Sequence, residues 1–215
     1  MRLGIMQPYF VPYAGYFRLM AACDLVVMFD CVQFPRRGWV HRNQLTTISG
    51  QRDWISLPLM KAPQSVLIRD LAWSERANAK WFYEQIQRFP ALRIENDLQQ
   101  ILQNFAQEPN IYLMRSIEII CLLLDLKFTP IFSSSLNLPD SLRGEDRILE
   151  ICDHFRAKTY VNVPGGAELY TQDNFKKRGI ELKFLPDFIG NYVSILERLA
   201  FEPVEKIRAE ISAQL

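Results

Sequence analysis

Histidine is the scarcest chemically useful residue in this chain: only His41 and His154 occur among 215 residues. The four cysteines (Cys23, Cys31, Cys121, Cys152) show no CxxC spacing. A Cys/His zinc site is therefore unsupported, and no metal ligand is expected; small thiols buried in a reducing cytoplasm fit better. An excess of either charge is also missing. Lys+Arg number 25 and Asp+Glu 24, a net charge of +1, which argues against nucleic acid or an anionic membrane as partner. Long apolar runs are absent too. The densest, Ile117 to Leu124, is far too short to span a bilayer, and the first residues are interrupted by Gln7, Pro8, Pro12, Arg18 and Asp24. The expectation is a cytoplasmic protein. No Walker loop, GxGxxG, HExxH or Ser-His-Asp order is present, and no internal repeat or low-complexity linker.

What is there is a core: 49% of residues are hydrophobic and 12% aromatic, with aromatics crowded into the first forty positions. Leu3–Met6 reads as a buried strand, Gly15–Ala22 as a helix and Leu25–Phe29 as a second strand, together a βαβ unit. Trp54–Leu59 and Val66–Leu71 read as further strands. The middle is helical: Ala77–Phe89, with Ser74 and Glu75 as its cap, must end before Pro90, and Pro109 opens a helix over Ile111–Leu124. The α/β rhythm then returns, with strands at Phe128–Phe132, Thr159–Val163 and Ile180–Leu185. Helices alternate with them at Glu145–Phe155 and Gly166–Lys177, Gly179 stops the second, and the tail is helical from Ser194. This predicts an α/β fold, a Rossmann-like parallel sheet of the nucleotidylyltransferase (HUP-like) kind with an inserted helical lobe. Its parts are an N-terminal α/β half (1–72), the lobe (73–127) and a C-terminal α/β half (128–215), in one compact domain.

Such sheets bind ligands beyond the carboxyl ends of their strands, so the segments leaving strand ends carry the candidates. Gln7-Pro8-Tyr9-Phe10-Val11-Pro12-Tyr13-Ala14-Gly15 is stiffened by two prolines, and Gly15 can let an anion approach backbone N–H groups. Tyr13-Ala14-Gly15-Tyr16 stands where many nucleotide sites carry His-x-Gly-His. A tyrosine hydroxyl donates to an anion but stays neutral, so Tyr13 and Tyr16 read either as ligand donors or as core, whereas Tyr9, Phe10 and Phe17 read as core. The second segment, Asp30 to Asn43, holds Gln33, Arg36, Arg37, Trp39, His41 and Arg42. Arginine forks grip carboxylate or phosphate, the amides fix a ligand edge, and Trp39 can stack on a sugar or base. Weaker candidates are the Ser133–Ser135 cluster with Arg143 and Arg147, and Gly165 in Pro164-Gly165-Gly166.

Two motifs, Met6-Gln7-Pro8-Tyr9-Phe10-x-Pro12-Tyr13-x-Gly15-Tyr16-Phe17 and Asp30-x-Val32-Gln33-Phe34-x-x-Arg37-Gly38-Trp39-x-x-Arg42-Asn43, closely resemble the WbqC-like family. Ser134-x-Leu136, the Ile148–Cys152 helix, Tyr160 to Gly166, Phe175-x-x-x-Gly179-Ile180 and Ser194-Ile195-Leu196 extend the resemblance over nearly the whole chain; Pro186–Gly190 departs from it. The resemblance implies a bacterial surface-polysaccharide (O-antigen) context and a transferase. That enzyme would move a glycyl, other aminoacyl or small acyl group to an amino sugar or similar amine; a looser similarity of layout to nucleotidylyltransferases and pantothenate synthetase adds ATP and Mg as candidate cofactors. His41 and Arg42 are then the expected catalytic pair, His41 as general base because its ordinary pKa lies near neutrality. Gln7, Pro8, Tyr13, Gly15, Tyr16, Asp30, Gln33, Arg37, Trp39, Asn43, Ser134 and Gly165 are the expected substrate- and nucleotide-binding positions. The expected partners are small molecules, an amino acid or acyl donor and a nucleotide sugar, with a homo-oligomer left open. The alternatives are a noncatalytic nucleotide-sugar scaffold and a plain nucleotidylyltransferase.

Overall fold

The computed structural model describes residues 1–215. A five-stranded sheet, parallel throughout, is built from β1 (Arg2–Met6), β2 (Leu25–Met28), β5 (Ile131–Phe132), β6 (Thr159–Asn162) and β7 (Glu181–Phe184). Its spatial order is β5-β2-β1-β6-β7, which is 3-2-1-4-5 if these strands alone are counted. The order reverses at β1, the place where parallel α/β sheets open a crevice at their carboxyl edge. β3 (Arg42–Thr46) and β4 (Arg52–Ser56) form a separate antiparallel hairpin beside that edge.

Side chains alternate across the sheet with the two-residue period of a strand. Leu3, Ile5, Val27 and Tyr160 point to a smaller core shared with α5 (Gly144–His154) and α6 (Gln172–Lys177). Val26, Met28 and Val161 point to a larger one. It is filled by α1 (Arg18–Ala22), α2 (Ala79–Arg88), α3 (Asp97–Leu102), α4 (Pro109–Leu123), α7 (Ile195–Phe201) and α8 (Val204–Ser212). Burial on both faces explains the nearly unbroken apolar runs at Leu3–Met6 and Leu25–Met28. Gly4 is needed for contact: a Cβ there would stand 2.8 Å from Leu19 Cγ, so its absence lets α1 settle on β1.

Several expectations are corrected locally. Val66–Leu71 is not a strand; Leu67 makes one bridge to Gln33, and Ile68–Asp70 is a 3-10 turn. Ile68 and Leu71 are buried and Val66 and Leu67 half-buried, but the backbone bonds to the loop after β2 (Phe34 N–H to the Val66 carbonyl, Ile68 N–H to that of Val32) instead of to a sheet. Arg42 and Asn43, expected at the end of the loop Asp30–Asn43, instead begin the strand Arg42–Thr46. Helix α2 is capped by Asn78, whose Oδ1 accepts from Trp81 N–H at 3.1 Å, while the Ser74 hydroxyl donates to the Pro58 carbonyl. The long helix expected over Gly166–Lys177 is a 3-10 segment, Pro164–Leu169, followed by the short α6. Gly179, with φ +69°, ends α6 as expected.

Candidate functional site

The segment leaving β1 is held in a strained form. Val11 has φ +39° and is completely buried, a conformation in which a β-branched residue is a genuine outlier. Three hydrogen bonds from two side chains over-determine it. Asn43 Nδ2 donates to the carbonyls of Phe10 (3.0 Å) and Val11 (2.8 Å), and Ser194 Oγ donates to the Val11 carbonyl (2.6 Å). Asn43 Oδ1 accepts from the Gln44 N–H at 2.8 Å, so every polar valence of this amide except one lone pair is engaged inside the chain. Asn43 thus fastens the hairpin to the first loop.

The clamped loop forms one wall of a cleft of about 580 Å³, lined by Tyr9, Pro12, Tyr13, Trp39, Asn43, Gln44, Arg52, Asn191, Tyr192 and Val193. Its walls are aromatic. Tyr13 stacks on Tyr192 with ring centroids 5.0 Å apart and meets Phe188 edge-on at 5.4 Å. Trp39, 46% exposed, leans on Trp54 at 5.6 Å, and the Arg42 guanidinium lies 4.1 Å from the Trp54 ring centre. Aromatic faces with amide and guanidinium groups between them suit a planar base or the apolar face of a sugar ring.

The sequence-predicted residues divide between three places. Tyr13, Trp39 and Asn43 share the cleft. Tyr16 does not reach it: it is buried, and its hydroxyl donates to the Gln7 carbonyl at 2.9 Å. Burial, then the neighbouring Tyr9, push its pKa well above the ordinary tyrosine value; burial and Tyr192 push Tyr13 up less. Gly15 has no open side. A Cβ there would fall 2.3 Å from the Tyr13 ring and 2.7 Å from that of Phe188, so the space a ligand would use is filled by aromatic carbon. Pro8 is buried beneath the same loop.

His41 faces a different cavity of about 290 Å³, with Phe34, Arg36, Ser56 and Lys61. Its ring lies edge-on to Phe34 at 4.9 Å, and its Nδ1 is buried with no partner. Burial, and then the Arg42 charge, lower its pKa to about 4. Arg42 donates to the Arg37 carbonyl at 2.6 Å, and Gln33 Nε2 to the Gln64 carbonyl at 2.8 Å. In the third place, Asp30 is fully buried beyond the end of β2, and Ser134 donates to it from both its backbone N–H (2.9 Å) and its hydroxyl (2.6 Å). Gly165 lies on the far side of β1, in the exposed turn after β6, with no heavy atom within 4 Å of a Cβ built there.

Sequence reasoning missed Tyr9, Gln44, Arg52, Asn191 and Tyr192 in the cleft. Arg52 is held by Glu197, and its Nη2 donates to the Gln44 carbonyl at 2.8 Å, which ties the hairpin to α7.

The five-stranded parallel sheet with helices on both faces, and an aromatic cleft beside its carboxyl edge, defines an α/β protein. The chain matches the WbqC-like protein family over residues 7–207 and belongs to it. It is also similar to the uncharacterized protein Rv1507c of Mycobacterium tuberculosis, 24% identical over 199 residues that cover 88% of this chain and 83% of that protein. No solved structure matches it.

Proposed function

We propose that this member of the WbqC-like family is a transferase that moves an aminoacyl or small acyl group to an amino sugar, a step of surface-polysaccharide assembly. The observation that carries the reading is the aromatic cleft: Trp39, Tyr13 and Tyr192 line it with ring faces, and Gln44, Asn191 and Arg52 line it with groups that can meet a sugar's hydroxyls or a phosphate. The sheet order that reverses at β1 supports a layout akin to the nucleotidylyltransferases, an analogy of fold alone. The residues near Gly15 do not fit a metal-bound triphosphate. Phe188 and Tyr13 occupy its approach, and no group of three His, Cys, Asp or Glu side chains comes together to hold a metal. The donor in this reading is therefore an acyl group already activated elsewhere.

His41, with its pKa near 4, stays neutral at working pH and lies outside the cleft. That placement favours the second reading, a noncatalytic nucleotide-sugar binder. Incubation with amino-sugar nucleotides and activated acyl donors, and separately with amino acids, ATP and Mg, followed by mass spectrometry of the small molecules, decides between them. The transferase reading expects a mass gain of one acyl group on the sugar. Saturable sugar-nucleotide binding with no product from any donor refutes it in favour of the binder.

A further inference from the structure

Tryptophan offers the largest flat face of any side chain, and here it is gathered along one surface. Three of the chain's four tryptophans, Trp54, Trp73 and Trp81, line an open groove of about 880 Å³. The fourth, Trp39, lines the aromatic cleft and leans on Trp54. The hairpin joins the two places. Asn43, Leu45 and Ile55 are buried, so the two-residue period turns Gln44, Arg52, Trp54 and Ser56 to the opposite face. Of these, Gln44 and Arg52 line the cleft, whereas Trp54 and Ser56 line the groove. Gln44 and Trp54 are direct cross-strand partners, which puts their Cβ atoms about 5 Å apart. Cleft and groove are therefore adjoining parts of one surface.

The groove is formed in advance of any ligand. Its banks are tied by the bridge between Leu59 and Trp73, by Met60 N–H to the Ala72 carbonyl and by Ser74 N–H to that of Pro58, both at 2.8 Å. Phe105 meets the Trp73 ring edge-on at 5.1 Å and the Trp81 ring at 5.6 Å, and the Arg42 guanidinium lies over the Trp54 ring. Rings fixed beforehand lose little freedom when a ligand arrives. The Trp73 indole N–H is spent on the Gln107 carbonyl. Those of Trp54 and Trp81, like the Ser56 hydroxyl and the Gln85 amide, have no hydrogen-bond partner within the chain.

Charge along the groove is one-sided. Lys61, Arg76 and Arg88 line it against Glu75 alone. Arg88 pairs with Asp53, while Lys61 and Arg76 are exposed and pair with no acid. The His41 cavity shares Ser56, Leu57 and Lys61 with the groove and adds Arg36 but no carboxylate. In a chain of net charge +1, this local excess complements an anionic ligand. Ring faces, neutral donors and a few cations together match a chain of sugars in which only some rings carry a carboxylate. A nucleic-acid strand, charged at every unit, draws a longer basic track.

We propose that the groove binds an acidic oligosaccharide whose terminal ring enters the cleft. The proposal rests on the reading of the cleft as a sugar site and names the acceptor there: an amino sugar at the end of a chain that also carries uronic acids.

Hyaluronan oligosaccharides, in which glucuronate alternates with N-acetylglucosamine, are the probe, titrated by tryptophan fluorescence and calorimetry. A hexasaccharide with N-acetylglucosamine at its nonreducing end should bind about tenfold or more tightly than the corresponding disaccharide. N-acetylchitohexaose, as long but uncharged, should bind about tenfold more weakly than the hexasaccharide. The double variant Lys61→Glu with Arg76→Glu, at exposed positions without partners, should weaken hexasaccharide binding about tenfold or more at unchanged Tm. Equal affinity for the hexasaccharide and the disaccharide, or for the charged and neutral hexamers, overturns the proposal. So does a thymidylate hexanucleotide bound as tightly as the hexasaccharide, and so does binding by none of these probes. The two readings fail separately. Disaccharide binding that Trp39→Ala weakens, with no gain from added length, keeps the sugar in the cleft and removes the groove. Hexasaccharide binding that the double variant weakens and Trp39→Ala does not keeps the groove and removes the sugar from the cleft.

Discussion

Asn43→Ala tests whether the first loop is held under tension by a clamp. The side chain is 5% exposed and makes three hydrogen bonds: to the carbonyls of Phe10 and Val11, and from the Gln44 N–H. A buried partner left without its bond costs about 1–3 kcal/mol. The Val11 carbonyl keeps Ser194, and Gln44 is half-buried and can be reached by water, so the Phe10 carbonyl carries most of the penalty. The sum is about 2–4 kcal/mol. For a chain of this length each kcal/mol lowers Tm by about 2–4 °C, so a fall of roughly 4–16 °C is expected in calorimetry. Because Val11 sits at φ +39° only while its neighbours are pinned, the loop should also relax and the cleft lose its Tyr13 wall, which weakens sugar-nucleotide binding in isothermal titration. A variant that melts within 1–2 °C of the parent yet loses affinity would refute the clamp and make Asn43 a ligand-binding amide.

Tyr16→Phe should cost about 1–2 kcal/mol by abandoning the Gln7 carbonyl, whereas Tyr13→Phe should leave Tm unchanged and alter only ligand affinity; equal effects on Tm would refute the division. Gly15→Ala forces the Tyr13 and Phe188 rings apart and should destabilise by about 1–3 kcal/mol in denaturant titration; a neutral result would mean those rings move freely. Trp39→Ala, at a half-exposed position, should weaken ligand binding about tenfold or more with little change in Tm, and unaltered affinity would remove Trp39 from the site. His41 has a folded pKa near 4, below the unfolded value of about 6.5, so protonation favours unfolding. Its contribution is complete above pH 6.5 and is lost as pH falls from there through 4. The difference in Tm between the parent and His41→Phe should therefore change over that window and stay constant above it.

Much of the fold was legible in the sequence because its signals are local. Strands buried on both faces show as apolar runs at Leu3–Met6 and Leu25–Met28, Pro109 opens a helix, Ser194 caps one and Gly179 ends one. Each depends on a residue's own backbone preferences or its nearest neighbours. The two N-terminal motifs likewise marked the family, since they rest on residue identity alone. The local readings failed where a segment's partner is distant: Val66–Leu71 opens with a strand-like apolar run yet bonds to a loop, and Arg42–Thr46 becomes a strand only because Arg52–Ser56 folds back on it. The candidate site was decided almost wholly by tertiary structure. Trp39 and His41, two positions apart, line different cavities, while Tyr13 is joined by Tyr192, and Cys31 by Ser133 and Arg147. A sequence shows which donors, acceptors and rings exist; which of them face one another depends on how the sheet, hairpin and helices pack, and that is settled by contacts between residues far apart in the chain.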